Sequence, residues 1–234
     1  HIGADQTPDQ EFNGKIDEVA VWNKELSAGD IATLYQAKGT SNLNNDGNSA
    51  NLQGWWRMGD GTLDSHPLIA DEVNPTLSTF VEDDCADDSI SAGWDSGISS
   101  NLSFDTDHYD LTYPSNNNFG MDATIVAGQL YKITCDIKIK TDWAAGGAAL
   151  YFFNYVTGQS NEYGSNRKSE INDSSYTTIT EYIRGYSIGG SGTIGIAISA
   201  AGAISLKNFK VETVNGNAGI MTNMASDDIV EDTP

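Results

Sequence analysis

The chain of 234 residues carries 33 Asp and Glu against 12 Lys and Arg, a formal net charge of −21. That sign excludes a surface built to neutralise nucleic-acid phosphates or to hold anionic lipid, and no apolar run approaches the roughly 20 residues of a spanning helix, so no membrane insertion is expected. Charged residues are only 19% of the chain, and 24 Gly stand among abundant Asn, Ser and Thr, the mix of many short strands joined by polar turns.

In chain order, residues 12–22 come first, with Ile16, Ala20 and Trp22 on one face and Asp17, Val19 and Val21 on the other. This alternation predicts a strand covered in part on both sides. A short helix follows: Ser27 suits the N-cap, Asp30 completes a capping box, and Leu26 and Ile31 form a hydrophobic staple. Ile31, Leu34 and Tyr35 give it one apolar face, and Gly39 fits the C′ position. Residues 40–51 read as a polar loop with a turn at Asn45-Asp46-Gly47. The pattern Phe-x-Gly-x-Ile-Asp-Glu-Val-x-x-Trp, followed by Leu-Ser-x-x-Asp-Ile, resembles the last strand and closing helix of laminin-G-like, concanavalin A-like jelly rolls over residues 2–39. The resemblance implies that residues 1–51 are the C-terminal part of such a domain, that the chain is a piece of a longer protein, and that Asp17 and Asp71 are calcium ligands.

The next unit reads as split. Residues 52–75 contain Gly54-Trp55-Trp56-Arg57-Met58-Gly59-Asp60, and residues 215–234 contain Asn215-Gly216, Met221-Thr222-Asn223-Met224 and the closing Glu231-Asp232-Thr233-Pro234. Joined, the two resemble the endings that follow laminin-G-like domains in phage virion structural proteins, which makes residues 76–214 an insertion. Within the insertion, residues 130–140 alternate: Tyr131, Ile133, Cys135, Ile137 and Ile139 face in, and Lys132, Thr134, Asp136, Lys138 and Lys140 face out. Further strands are expected over residues 148–156, 176–186, 195–199 and 204–214, enough for a β-sandwich. Gly93-Trp94, the strand after Ala127-Gly128-Gln129 and the closing residues 205–211 resemble jelly-roll carbohydrate-binding modules. The closing strand of those modules often carries an Asp that helps hold calcium, and Lys207-Asn208 stand in that region here. The expected fold class is therefore all-β: jelly-roll sandwiches and one short helix.

Catalytic apparatus is hard to find. Glucanases on concanavalin A-like folds set carboxylates at alternate positions of one strand, and no such run occurs here. His1, His66 and His108 accompany neither a Gly-x-Ser-x-Gly elbow nor the Cys/His clustering of a zinc site. Residues 190–195 match the dinucleotide-binding glycine spacing, but they open a strand where that motif must open a helix. Glu82, Asp83, Asp84, Asp87 and Asp88 can supply calcium oxygens, with Asp83 and Asp84 the central pair, although such a run reads first as a solvated loop. Calcium is thus the one cofactor with candidate ligands. Cys85 and Cys135 are expected to be free thiols, Cys135 filling a small core space.

Aromatic residues are the best functional lead, because flat rings stack on the apolar faces of sugars while amides and carboxylates meet the hydroxyls. Trp143 lies in a Gly- and Ala-rich segment; Tyr109, Tyr113, Asn118 and Phe119 make one aromatic–polar stretch, and Tyr155, Asn161, Glu162 and Tyr163 another. Trp143, Tyr155, Tyr163, Glu162, Asn161 and Tyr113 are the candidate glycan contacts, while Trp55, Trp94, Phe152 and Phe209 are assigned to cores. The resulting expectation is a non-enzymatic virion surface protein, a fibre, appendage or decoration component. Its partners would be other virion proteins, copies of itself and host-surface polysaccharide. The alternatives are a secreted adhesin or polysaccharide-binding module, or the binding part of a glycan hydrolase.

Overall fold

The computed structural model describes residues 12, 14–37, 41–61, 63–64, 66–73, 76–87, 93–94, 102–113, 117–141, 149–199 and 202–221. In chain order the elements are β1 (Val19–Trp22), α1 (Ala28–Ala37), β2 (Leu52–Trp56), β3 (Leu68–Ile69), β4 (Leu77–Asp83), β5 (Leu102–Asp105), β6 (His108–Tyr113) and β7 (Asn117–Ile125). They continue with β8 (Leu130–Thr141), β9 (Ala149–Val156), β10 (Glu162–Tyr163), β11 (Thr177–Arg184), β12 (Gly190–Ser199), β13 (Gly202–Val214) and β14 (Gly219–Ile220). The chain forms two compact units, Leu77–Val214 and the remainder, His1–Thr76 with Asn215–Pro234.

In the smaller unit β1 pairs antiparallel with β2, and β14 with β3. Leu43, Leu52 and Trp55 form its core, with Ala20, Trp22 and Leu34 packed against them. The capping box of α1 is formed: Asp30 N donates to Ser27 Oγ at 3.2 Å, and Ser27 N donates to Asp30 Oδ2 at 2.9 Å. The Ser27 hydroxyl, which donates to Asp30 Oδ2 at 2.7 Å, and then the Ser27 backbone amide hold the Asp30 carboxyl below the usual carboxylate range. The expected apolar helix face is a correction, since only Leu34 meets the core while Ile31 and Tyr35 are exposed. Val21 is exposed, but Val19 on the same face is half-buried, as are Ala20 and Trp22 on the other, so β1 is covered in part on both sides.

The larger unit is a sandwich. One sheet has the order β10-β9-β12-β7, the other β11-β8-β13-β6-β5, with β4 paired to the C-terminal half of β13. Their inner faces share one core that includes Phe119, Tyr131, Ile133, Cys135, Phe152, Ile194, Ile196 and Phe209. Alternation along β8 places Tyr131 to Ile137 inward, and Ile139 is partly buried beyond them. Two segments differ from their sequence reading. The residues before Asp84 form β4, not a solvated loop, and Tyr109 and Phe119 are fully buried strand residues of β6 and β7. Both were obscured because their burial depends on pairing with β13 and β12, at least 70 positions later in the chain. The glycine run at residues 190–195 lies within β12, leading on into strand and not into a helix. Cys85 and Cys135 are buried free thiols, and burial, foremost, pushes the Cys85 thiol up to about 12.

Candidate functional site

The outward face of the four-stranded sheet gathers aromatic and amide groups. Along β9 the even positions Leu150, Phe152 and Val156 enter the core, so Tyr151, Phe153 and Tyr155 face away from it. Pairing extends these into three rows: Tyr151–Ala197–Asn118, Phe153–Gly195–Gly120 and Tyr155–Thr193–Asp122. Tyr163 on β10 sits opposite Phe153 and joins the middle row. The floor is low in side-chain volume, and Thr193 and Ala197 are buried although they face away from the core. Flanking side chains therefore stand above them as walls.

Tyr163 lies across this floor. Its hydroxyl accepts from Asn161 Nδ2 at 2.7 Å, and Asn118 Nδ2 on the far strand is 3.5 Å away. Its ring meets Tyr151 and Phe153 at centroid distances of 5.7 and 6.3 Å, yet Tyr163 remains 51% exposed. Gly195 and Gly120 let the β12 and β7 backbones approach closely in this row: a Cβ on Gly195 would lie 2.1 Å from the Phe119 carbonyl oxygen, and one on Gly120 2.3 Å from that of Ile194. The Tyr155 hydroxyl accepts from Gly158 N at 3.1 Å, which fixes that ring against the following turn.

The structure brings Tyr155, Tyr163 and Asn161 of the sequence candidates to this face. Glu162 is exposed, but it opposes the inward-facing Asn154 and alternates away from Tyr163. Tyr113 belongs to β6 of the other sheet, and Trp143 lies outside the described residues. Sequence reading missed Tyr151, Phe153 and the role of Asn118. The signal was present, because aromatics occupy positions 151, 153 and 155, but the equally aromatic Phe152 between them hid the alternation.

The calcium candidates have structural partners. Asp71 is 1% exposed; its Oδ1 accepts from Trp55 N and Val73 N, and its Oδ2 from both nitrogens of Asn217. Asp83 accepts from Cys85 N, Trp94 Nε1 at 2.6 Å and Tyr109 Oη at 3.1 Å. Asp84 accepts from Ala86 N, and Asp17 from Glu18 N. None of the four belongs to the group whose ligand atoms, among the described residues, lie close enough for one ion: Asp105, His108 and Asp110. At the position implied for calcium by the carbohydrate-binding-module resemblance, Asn208 has a φ of 50° and donates to Asp136 Oδ2, beside a register shift in β13.

That Asp/His group lies on the outer face of the larger sheet. The Lys140 ammonium bonds Asp110 and lies 3.9 Å from Asp105, and the bond to Asp110, foremost, raises its pKa. Lys207 pairs with Asp107, which is held low first by that bond. Lys138 and Lys207 place their nitrogens 5.0 and 4.9 Å from the Tyr176 ring centre, yet burial, foremost, raises the Tyr176 phenol.

Residues 1–32 match the family described as the concanavalin A-like lectin/glucanases superfamily. Comparison with curated proteins found no match. Among solved structures, the CBM22-1 xylan-binding domain of Paenibacillus barcinonensis Xyn10C is similar at 11% identity and a TM-score of 0.42, covering 61% of this chain and 99% of that one. The xylan-binding module CBM15 is similar at 16% identity and 0.41, with 61% and 99% coverage. The enzymatically active domain of bacteriophage CBA120 tailspike protein 4 is similar at 12% identity and 0.34, covering 60% of this chain and 18% of that one.

Proposed function

We propose that this chain is a non-enzymatic glycan-binding component of a virion surface, and that the outward face of the sheet β10-β9-β12-β7 is its binding face. The observation that carries the reading is the joining of Tyr151, Tyr155 and exposed Tyr163 to Asn118 and Asn161 over a floor of Gly and Ala. Rings stack on the apolar faces of sugar residues, while the amides and phenols offer donors and acceptors to hydroxyls. An open face of this kind leaves much of a ligand hydrated, so each site is expected to bind weakly, near 1 mM or about −4 kcal/mol. Several copies on one particle then raise avidity by ~10²–10⁴ where their geometry permits. The virion placement, with other virion proteins and copies of itself as partners, is supported by the split-tail pattern of residues 52–75 and 215–234.

The test is retention in gels cast with soluble polysaccharides, beside a glycan array. Tyr163→Ala should abolish retention while leaving the thermal midpoint nearly unchanged, because the ring is half in solvent. Retention equal to that of the parent would overturn the assignment of this face. Trp143→Ala, run in parallel, reports whether that ring contributes. Immunogold labelling of purified particles tests the placement; binding by a protein that no particle carries would identify the secreted adhesin or hydrolase-appended module instead.

A further inference from the structure

We propose that Asp105, His108 and Asp110 bind one divalent transition-metal ion of the zinc class, which clamps the edge strand β5 to β6. The donor atoms lie within 4.8 Å of one another. The hairpin brings them together: Asp105 and His108 are directly opposed across the turn, and Asp110 follows His108 by two positions on the same face. His108 is oriented for ligation. Its Nδ1 sits 3.0 Å from Asp107 Oδ1, which leaves Nε2 facing Asp110 Oδ1 at 3.3 Å. A carboxylate behind the distal ring nitrogen is the arrangement that fixes metal-ligating histidines. Asp110 is nearly enclosed, and Ser205 Oγ donates to it at 2.8 Å, so this ligand is preset by the sheet.

The electrostatics point the same way. The Lys140 ammonium already sits between Asp110 and Asp105, marking a place where the protein stabilises a cation. The Lys140 side chain is 43% exposed and can withdraw into water, so a metal would exchange with an ammonium and not enter an uncompensated site. Lys207 is engaged with Asp107 and approaches Tyr176, behind His108 and not between the ligands. One imidazole nitrogen beside carboxylate oxygens suits zinc and its neighbours, whereas calcium takes oxygen donors throughout.

The experiment titrates the whole chain with Zn²⁺ and, separately, Ca²⁺ in a non-chelating buffer, following calorimetric binding and the thermal midpoint. Co²⁺ absorption serves as a probe of the ligand field. Zn²⁺ should bind saturably with a rise in midpoint, and Ca²⁺ at the same concentration should do neither. Lys140→Gln removes the competing ammonium and should tighten Zn²⁺ roughly threefold to tenfold; His108→Ala should weaken it by roughly tenfold or more. Parent-like Zn²⁺ binding by His108→Ala would overturn the proposal, as would an equal response to Ca²⁺. Absence of saturable binding in both the parent and Lys140→Gln would also overturn it. None of these outcomes depends on glycan binding.

Discussion

Asp83 and Asp84 are neighbours of identical chemistry, and the fold gives them unequal work. Asp83 accepts hydrogen bonds from the indole of Trp94 and the phenol of Tyr109, two rings of the sandwich core, while Asp84 caps only the backbone at Ala86. Removing an acceptor strands buried donors, so Asp83→Ala should cost the larger unit about 2–4 kcal/mol in urea unfolding. Asp84→Ala should cost less than about 1 kcal/mol; equal losses would show that the two bonds to the core contribute nothing. The acidic run was legible as an acidic run and no further, because the partners that draw Asp83 inward lie 11 and 26 positions away. The cysteines make a second test. Burial, foremost, raises the Cys85 thiol to about 12 from an ordinary 9.0, so the neutral form is favoured in the folded state. Its stabilisation is fully present below pH 9 and is lost as the pH rises from there through 12. A thiol reagent at pH 8 should therefore find no reactive group in the native protein and two after unfolding. A rapid native reaction would contradict the burial.

At the scale of elements, β9 and β12 decide the candidate face together. β9 presents the rings, and β12 supplies a floor low enough for Tyr163 to lie down on. Gly195→Ala puts a methyl carbon 2.1 Å from a backbone oxygen of β7, and backbone cannot rotate away as a side chain would. This variant should lose about 2–4 kcal/mol of stability and glycan retention together. Tyr163→Ala should lose retention alone. The contrast between the two separates floor from contact. On β11, burial is the main cause that raises the Glu181 carboxyl, against the opposing Arg167 ion pair at 3.0 Å. A raised carboxyl pKa means that the folded state favours the protonated form, so this contribution is present at acid pH and lost as the pH rises through the folded value. The Glu181→Gln variant does not titrate there, and its stability relative to the parent should rise between pH 4 and 7. A constant or falling difference would contradict that sign. The β8 strand was readable because its alternation is complete, whereas β5, β6 and β7 carry mixed polar and aromatic residues whose inward set only the partner strand defines.

The whole molecule is two units threaded by one chain, and hydrogen bonding ties the chain together where it leaves the smaller unit and where it returns. Asn215 N donates to the Thr76 carbonyl at 3.0 Å, and Asn215 Nδ2 to Thr76 Oγ1 at 2.8 Å. Within the larger unit its own first and last residues, Leu77 and Val214, are paired across β4 and β13. Each unit thus has its two ends side by side, the geometry that lets one domain be excised from another without stretching either. The interrupted tail pattern is a feature of the sequence itself, whereas the strand pairing inside the sandwich leaves no such mark on it. The smaller unit also has its own cross-chain fastening, since buried Asp71 accepts both nitrogens of Asn217 from the returning segment. Replacing residues 77–214 by a short Gly-Ser linker should leave a remainder that folds, and residues 77–214 expressed alone should unfold in one cooperative transition with parent-like glycan retention. In the deleted protein, Asp71→Ala should then cost about 3–5 kcal/mol, because three backbone amides and one side-chain amide lose their acceptor at once. A remainder that is unfolded with Asp71 intact, or an excised sandwich without cooperative unfolding, would show that the two units fold only as one.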